Sequence, residues 1–183
     1  MLQEQLIAKC KQNNRMAQMQ LYNQYCNGMY VVARRFLTHE AEAEDAVQEA
    51  FIKAFSRLHQ FEAEVTFGAW LKRIVINTCI DTLKTKKHQL LQLDEGHLKV
   101  VDTEIDDKWL VNDDITVQDV KHAIEDLPDK YRFVVMLYLI EGYDHQEIAS
   151  ILNITEVASR TQLSRGKKKL QNSLKFKTHG TGY

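Results

Sequence analysis

Proline is nearly absent from this 183-residue chain, which has one, Pro128, and only seven glycines. No stretch alternates apolar and polar residues as a half-buried strand does, so turn-rich β architectures are excluded and an all-α fold is expected. The three cysteines, Cys10, Cys26 and Cys79, form no CxxC pair and no ligand-like cluster with histidine. That excludes a disulfide framework and a zinc site and points to reduced, cytosolic thiols. Long apolar runs are missing too. The longest, Phe133 to Ile140, is far too short to span a bilayer, and Met1 to Asn14 lacks the apolar centre of a signal peptide. A cytoplasmic protein without membrane insertion is expected. There is no glycine-rich phosphate loop and no paired nucleophile and base, so an enzyme is not expected, nor is a cofactor. His39, His59, His88, His97, His122, His145 and His179 follow no pattern and are read as surface residues.

Strong net charge is also lacking, with a formal balance of −1. The neutrality hides a partition. Glu156 to Tyr183 holds seven basic residues against one acid, whereas Asp94 to Asp119 holds nine acids against Lys99 and Lys108. The acidic stretch cannot face phosphate. It is either a solvated spacer or a competitor of nucleic acid for a basic surface on a partner.

The most informative run is Asp144 to Thr155. Asp144 with Glu147 forms a capping box, and Ile148, Ile151 and Leu152 supply one apolar face. Ala149 is small where two helices are expected to cross, and Asn153 suits a left-handed turn. Thr155 then caps a helix from Glu156 to about Leu174 that carries Arg160, Arg165, Lys167, Lys168 and Lys169. This is the grammar of a helix-turn-helix, whose second helix enters the major groove. Upstream, a helix ends at Leu127-Pro128 and another is expected over Asp129 to Ile140, with Phe133, Val134, Leu137 and Leu139 in a small core.

A separate module spans residues 18 to 88, with helices expected over Leu21–Leu37, Glu40–His59 and Thr66–Lys86. In the second, Val47, Phe51, Ala54, Phe55 and Leu58 form the apolar stripe, while Asp45, Gln48, Glu49 and Ile52 share the opposite edge. An exposed Ile beside polar groups suits a protein contact. In the third helix, Trp70, Leu71, Ile74, Val75 and Cys79 lean to the core, and Lys72, Arg73 and Asn77 lie elsewhere on it. Phe61, Phe67 and Trp70 gather beside these cations, either as core aromatics or as a platform on which single-stranded bases stack.

At this point the residues resemble a known family. Ala43-Glu44-Asp45-Ala46-Val47-Gln48-Glu49-Ala50-Phe51 resembles the core-polymerase-binding helix of bacterial sigma factors, and more narrowly of the extracytoplasmic-function (ECF) group of the sigma-70 family. Phe67-x-x-Trp70-Leu71-x-x-Ile74-x-x-Asn77 resembles the promoter-melting helix of that group. Asp126-Leu127-Pro128 with Gly142-Tyr143-x-x-x-Glu147-Ile148-Ala149 resembles its C-terminal region. The resemblance implies two small helical domains: an N-terminal helical bundle (18–88) that binds core polymerase and the minus-ten element, and a C-terminal four-helix domain (117–174) that binds the minus-thirty-five element. An acidic flexible linker (89–116) joins them.

Site roles follow from the resemblance. Asp45, Gln48 and Glu49, with Ile52 beside them, match positions that contact the largest polymerase subunit. The loop Phe61 to Thr66, including Phe61, Glu64 and Thr66, matches the one that captures a flipped minus-ten base. Lys72, Arg73 and Asn77 would hold the melted strand. Arg160, Thr161 and Gln162 would read the upstream duplex, with Ser164, Arg165 and Lys168 on phosphates. Partners implied are core RNA polymerase, promoter DNA and an anti-sigma factor. Ser159 departs from the apolar residue usual at its position, and the loop Phe61 to Val65 is acidic where many members carry Arg or Gly. The two promoter elements lie about 70 Å apart, at about 34–36 Å per turn. The tether from His88 to Ile115 could reach about 90 Å when extended but would average about 30 Å as a coil, so it would have to be held extended. The rival reading is a stand-alone helix-turn-helix regulator, which leaves the residue 43–51 helix and the acidic tether unexplained.

Overall fold

The computed structural model describes residues 3–91 and 115–178, with side chains over 3–86 and 115–174. The chain divides into two compact units, Met1–His97 and Leu98–Tyr183, and the described residues are helical in both. The acidic tether lies outside the described residues over 92–114, as do the side chains of Lys87, Lys175 and Lys177.

In the first unit α1 (Gln3–Lys11) is followed by α2 (Arg15–Phe36), α3 (Glu40–Ser56), a single 3₁₀ turn (Leu58–Gln60) and α4 (Phe67–Leu91). Asn14 starts α2 because its side chain accepts from the Ala17 amide at 3.0 Å, satisfying one of the orphan first-turn donors. Asn13 before it takes the left-handed turn, with φ 59°. At the far end the Arg34 guanidinium donates to the Leu37 and Thr38 carbonyls. No side chain caps α3, although Glu40 and Glu42 complement its N-terminal dipole. Packing holds it instead. Ala43, Ala46, Ala50 and Ala54 are all buried, so α2 and α4 approach one small-residue stripe closely, with Val47 and Phe51 filling beside it. Phe36, Leu37, Leu58, Phe67, Leu71, Val75 and Ile76 complete the core, each large side chain contributing about 1.5–3 kcal/mol.

α4 runs several residues beyond Lys86, so the residues expected to open the tether are helical up to Leu91. α3 ends three residues early because the 3₁₀ turn takes over, and this turn places Leu58 in the core.

In the second unit α5 (Val117–Glu125) opens with a capping box between Thr116 and Asp119. Pro128 stands at the N-cap of α6 (Asp129–Val135), where its extended ψ breaks the chain direction and its carbonyl accepts from Tyr131 at 2.8 Å. The helix expected over Asp129 to Ile140 runs that length, but not as α-helix throughout. A π-helical turn (Met136–Ile140) replaces its end, with the Glu141 amide reaching five residues back to the Met136 carbonyl at 3.0 Å. That extra residue rotates the register. Met136 and Leu137 turn inward, and Leu139, expected in the core, is 41% exposed. Phe133, also expected there, is only half-buried. Gly142 closes the turn at φ +77°, a conformation that side-chain-bearing residues rarely adopt.

The helix-turn-helix follows as α7 (His145–Leu152) and α8 (Glu156–Thr178). Both halves of the Asp144–Glu147 capping box are formed. Asn153 is left-handed at φ 56°, and the Ala158 amide donates to Thr155 Oγ1 at 3.1 Å. Ala149, expected where α7 and α8 cross, is half-buried. At Gly166 of α8 a Cβ would stand 2.6 Å from Val135 Cγ2, so it is the α6–α8 contact that needs a missing side chain.

Candidate nucleic-acid interface

Burying the alanine stripe of α3 forces its other face outward. Asp45, Gln48, Glu49 and Ile52, at spacings of three, four and seven, are all exposed, with Ile52 at 70%. Glu49 pairs with Lys53 at 2.7 Å, an exposed i,i+4 pair worth about 0.3–0.5 kcal/mol that a partner could readily displace. The result is an apolar residue ringed by acidic and amide groups on a rigid helix, suited to a basic protein surface.

In the aromatic cluster Phe61 and Phe67 are core residues and Trp70 lies at the core's edge. Phe61 is 6% exposed and its ring meets Phe67 edge-on at 5.7 Å, with Trp70 at 5.3 Å. Phe67 is fully buried and Trp70 half-buried. Base stacking on the Phe61 ring is therefore corrected: three aromatics find more apolar area in one another than in solvent. Lys11 fixes this corner by donating to the Phe61 carbonyl at 2.9 Å. What the loop does expose is Glu62, Ala63, Glu64, Val65 and Thr66, with Ala63 left-handed at φ 59°. Thr66 Oγ1 accepts from the Ala69 amide at 3.2 Å, so that hydroxyl serves first as the α4 cap. Farther along α4, Arg73 and Asn77 are exposed one turn apart, and Lys72 is half-buried to one side.

On α8 the buried positions Ser159, Leu163, Gly166, Leu170 and Leu174 face the unit's core. Arg160, Thr161 and Lys168 are exposed on the opposite side, and Gln162, Ser164 and Arg165 are half-buried along its edges. The structure thus brings all six α8 candidates onto one helix. The Arg160 guanidinium lies 3.2 Å from Glu156.

His145 and Ser159 go beyond the sequence reading. Ser159 is fully buried, and its Oγ stands 2.9 Å from His145 Nδ1. The imidazole stacks on Tyr138 at 4.9 Å. His145 is therefore a half-buried link between α7 and α8 rather than a surface residue. Its burial, followed by the nearby Arg160 charge, lowers its pKa from the ordinary histidine value. The only sequence sign of this pair is a small hydroxyl residue on an otherwise apolar face. Burial likewise raises the Cys79 thiol to about 12 and raises Cys10. Among the described residues no cluster of His, Cys, Asp and Glu is arranged to hold a metal, and no helix is long and apolar enough to cross a membrane.

A helix-turn-helix unit with a cationic second helix, carried on the same chain as a bundle with an acidic exposed face, defines a two-part transcription factor. Sigma-70 region 2 matches residues 21–89, and Sigma-70 region 4 matches residues 118–170. The ECF RNA polymerase sigma factor SigW of Bacillus subtilis is 31% identical, over 96% of this chain and 98% of its own length. SigE of Mycolicibacterium smegmatis, another ECF sigma factor, is 28% identical over 85% of this chain and 60% of its own. The sigma factor RpoE of Bartonella quintana, solved with the anti-sigma factor NepR, has the same fold, with a TM-score of 0.58 at 22% identity, covering 86% of this chain and 96% of that one. The chain belongs to the ECF group of the sigma-70 family.

Proposed function

We infer that this sigma factor joins core RNA polymerase through the exposed α3 face, directs it to promoters through α8, and helps to melt the minus-ten region through the loop before α4. The observation that carries this reading is the pairing of the Asp45–Gln48–Glu49–Ile52 face with a capped, basic helix-turn-helix on one chain. We assign residues 18–88 to polymerase and minus-ten binding and 117–174 to the minus-thirty-five element, with the acidic tether over 89–116 held extended in a basic channel of the polymerase. In the melting step, Glu64, Thr66 and the loop backbone would face the flipped base, whereas Phe61 supports the loop from beneath. Arg73 and Asn77, with Lys72, would hold the strand. The protein acts by binding, in the cytoplasm. The sigma factor RpoE of Bartonella quintana was solved with the anti-sigma factor NepR, and a comparable inhibitor is proposed here.

Gel filtration with core polymerase tests the assignment. The wild-type chain should co-elute stoichiometrically, and the Asp45→Lys/Glu49→Lys variant, both changes on exposed positions, should elute alone while keeping its helical content. A folded variant that still co-elutes would remove the α3 assignment. Tight duplex binding without any core binding would instead favour a stand-alone regulator.

A further inference from the structure

Val157 is 70% exposed at the second position of α8, in the turn where a recognition helix meets base edges. It belongs to no core. Around it stand exposed Arg160, Thr161 and Lys168 and half-buried Ser164, at spacings of three, four, eleven and seven, all polar. An aliphatic side chain at this place has nothing to offer phosphate and no hydrogen bond to offer a base.

Thr161 turns out to be its partner. The Thr161 hydroxyl donates to the Val157 carbonyl at 2.9 Å, so its hydrogen is committed to the helix itself. A threonine that bonds back four residues directs its oxygen along the helix. Thr161 therefore has no hydrogen left to donate to a base, and its methyl group sits one turn from Val157. Arg160, beside them, is drawn toward Glu156 at 3.2 Å. The leading surface of α8 is therefore an aliphatic pair flanked by a guanidinium. In the major groove the one apolar feature of a base edge is the C5-methyl of thymine.

We propose that Val157 and the Thr161 methyl form a thymine-methyl reader that sets specificity within the upstream element. This rests on the reading that α8 enters the major groove. It gives Thr161 an apolar role in place of hydrogen-bond readout, and it adds Val157 as a specificity-determining residue.

The test uses polymerase holoenzyme reconstituted with this chain. Selection from a random duplex pool first defines the preferred upstream element. Each thymine in it is then replaced singly by deoxyuridine, which lacks only the methyl group. One or two replacements should weaken binding by about fourfold each, the effect of losing one buried methyl-sized group. That penalty should shrink toward unity in Val157→Ala, an exposed substitution to a better helix former. It should also shrink in Thr161→Ser, which keeps the hydroxyl, but persist in Thr161→Val, which keeps the methyl. A selected element without thymine, or deoxyuridine penalties that are absent or unchanged in Val157→Ala and Thr161→Ser, would overturn the methyl reader while leaving α8 as the duplex-binding helix. Selection that enriches no upstream element would remove the α8 reading itself, and the methyl reader with it.

Discussion

The two units hold their exposed helices in place by different means. In the first, α3 has no side-chain cap and is positioned by a stripe of four buried alanines against α2 and α4. In the second, α7 and α8 bury Ile148, Ile151, Leu163, Leu170 and Leu174, and hydrogen bonds set their ends and junction: a capping box, a left-handed Asn153, the Thr155 cap and the buried His145–Ser159 pair. Apolar packing is non-directional and does not titrate, so the α3 face should tolerate changes of condition. Hydrogen-bonded junctions fix angles more sharply, and one of them includes a histidine whose pKa burial lowers.

The largest effect expected is in the packed unit. Leu71→Ala, at a fully buried position of α4, should cost about 2–5 kcal/mol, read by denaturant unfolding with hydrogen exchange to localise the loss to α2–α4. Little loss there would break the contrast, because it would mean that the bundle is not held by its core.

In the second unit, Gly166→Ala sets two terms against each other. Helix propensity favours alanine by about 1 kcal/mol, whereas overpacking a filled crossing costs about 1–3 kcal/mol. With a Cβ only 2.6 Å from Val135 Cγ2, a fairly rigid methyl, overpacking should win and melting temperature should fall. Val135→Ala in the same chain should recover most of the loss. A more stable Gly166→Ala single variant would show that α6 and α8 can part freely.

The pH response sharpens the comparison further. With its folded pKa lowered, His145 binds fewer protons in the folded state than in the unfolded chain. Its contribution is complete above the ordinary histidine range, near 6.5, and is lost as pH falls from there through the lowered folded value. Unfolding of α7–α8 followed by hydrogen exchange should ease as pH drops through that window, and His145→Asn should flatten the dependence. An identical slope in the variant would assign the effect to other groups.

The smallest effect is chemical. Cys10 and Cys79 are buried, with raised thiol pKa values, whereas Cys26 is partly exposed. A native thiol titration near neutral pH should therefore label Cys26 first. Early labelling of Cys79 would reveal openings of α4 that its packing does not suggest.

What the sequence by itself determined is whatever depends on neighbours a few positions away. The Asp144–Glu147 box, the Asn153 turn and the Thr155 cap are bonds within four residues, and the outward Asp45–Ile52 face follows from 3.6-residue periodicity alone. Membership of the sigma-70 family was legible for the same reason, because its motifs are local. Only the tertiary structure decided what lies across from each side chain. Phe61 became core because Phe67 and Trp70 close over it. Leu139 turned outward because a π turn changed the register of a run whose composition permits either face. The close α6–α8 crossing fell on Gly166, since only the path of α6 sets where a Cβ would collide. Ser159 and His145, fourteen residues apart, became a buried pair because α7 and α8 bring them together. Spacing along the chain fixes direction, but distance across the fold is set by packing.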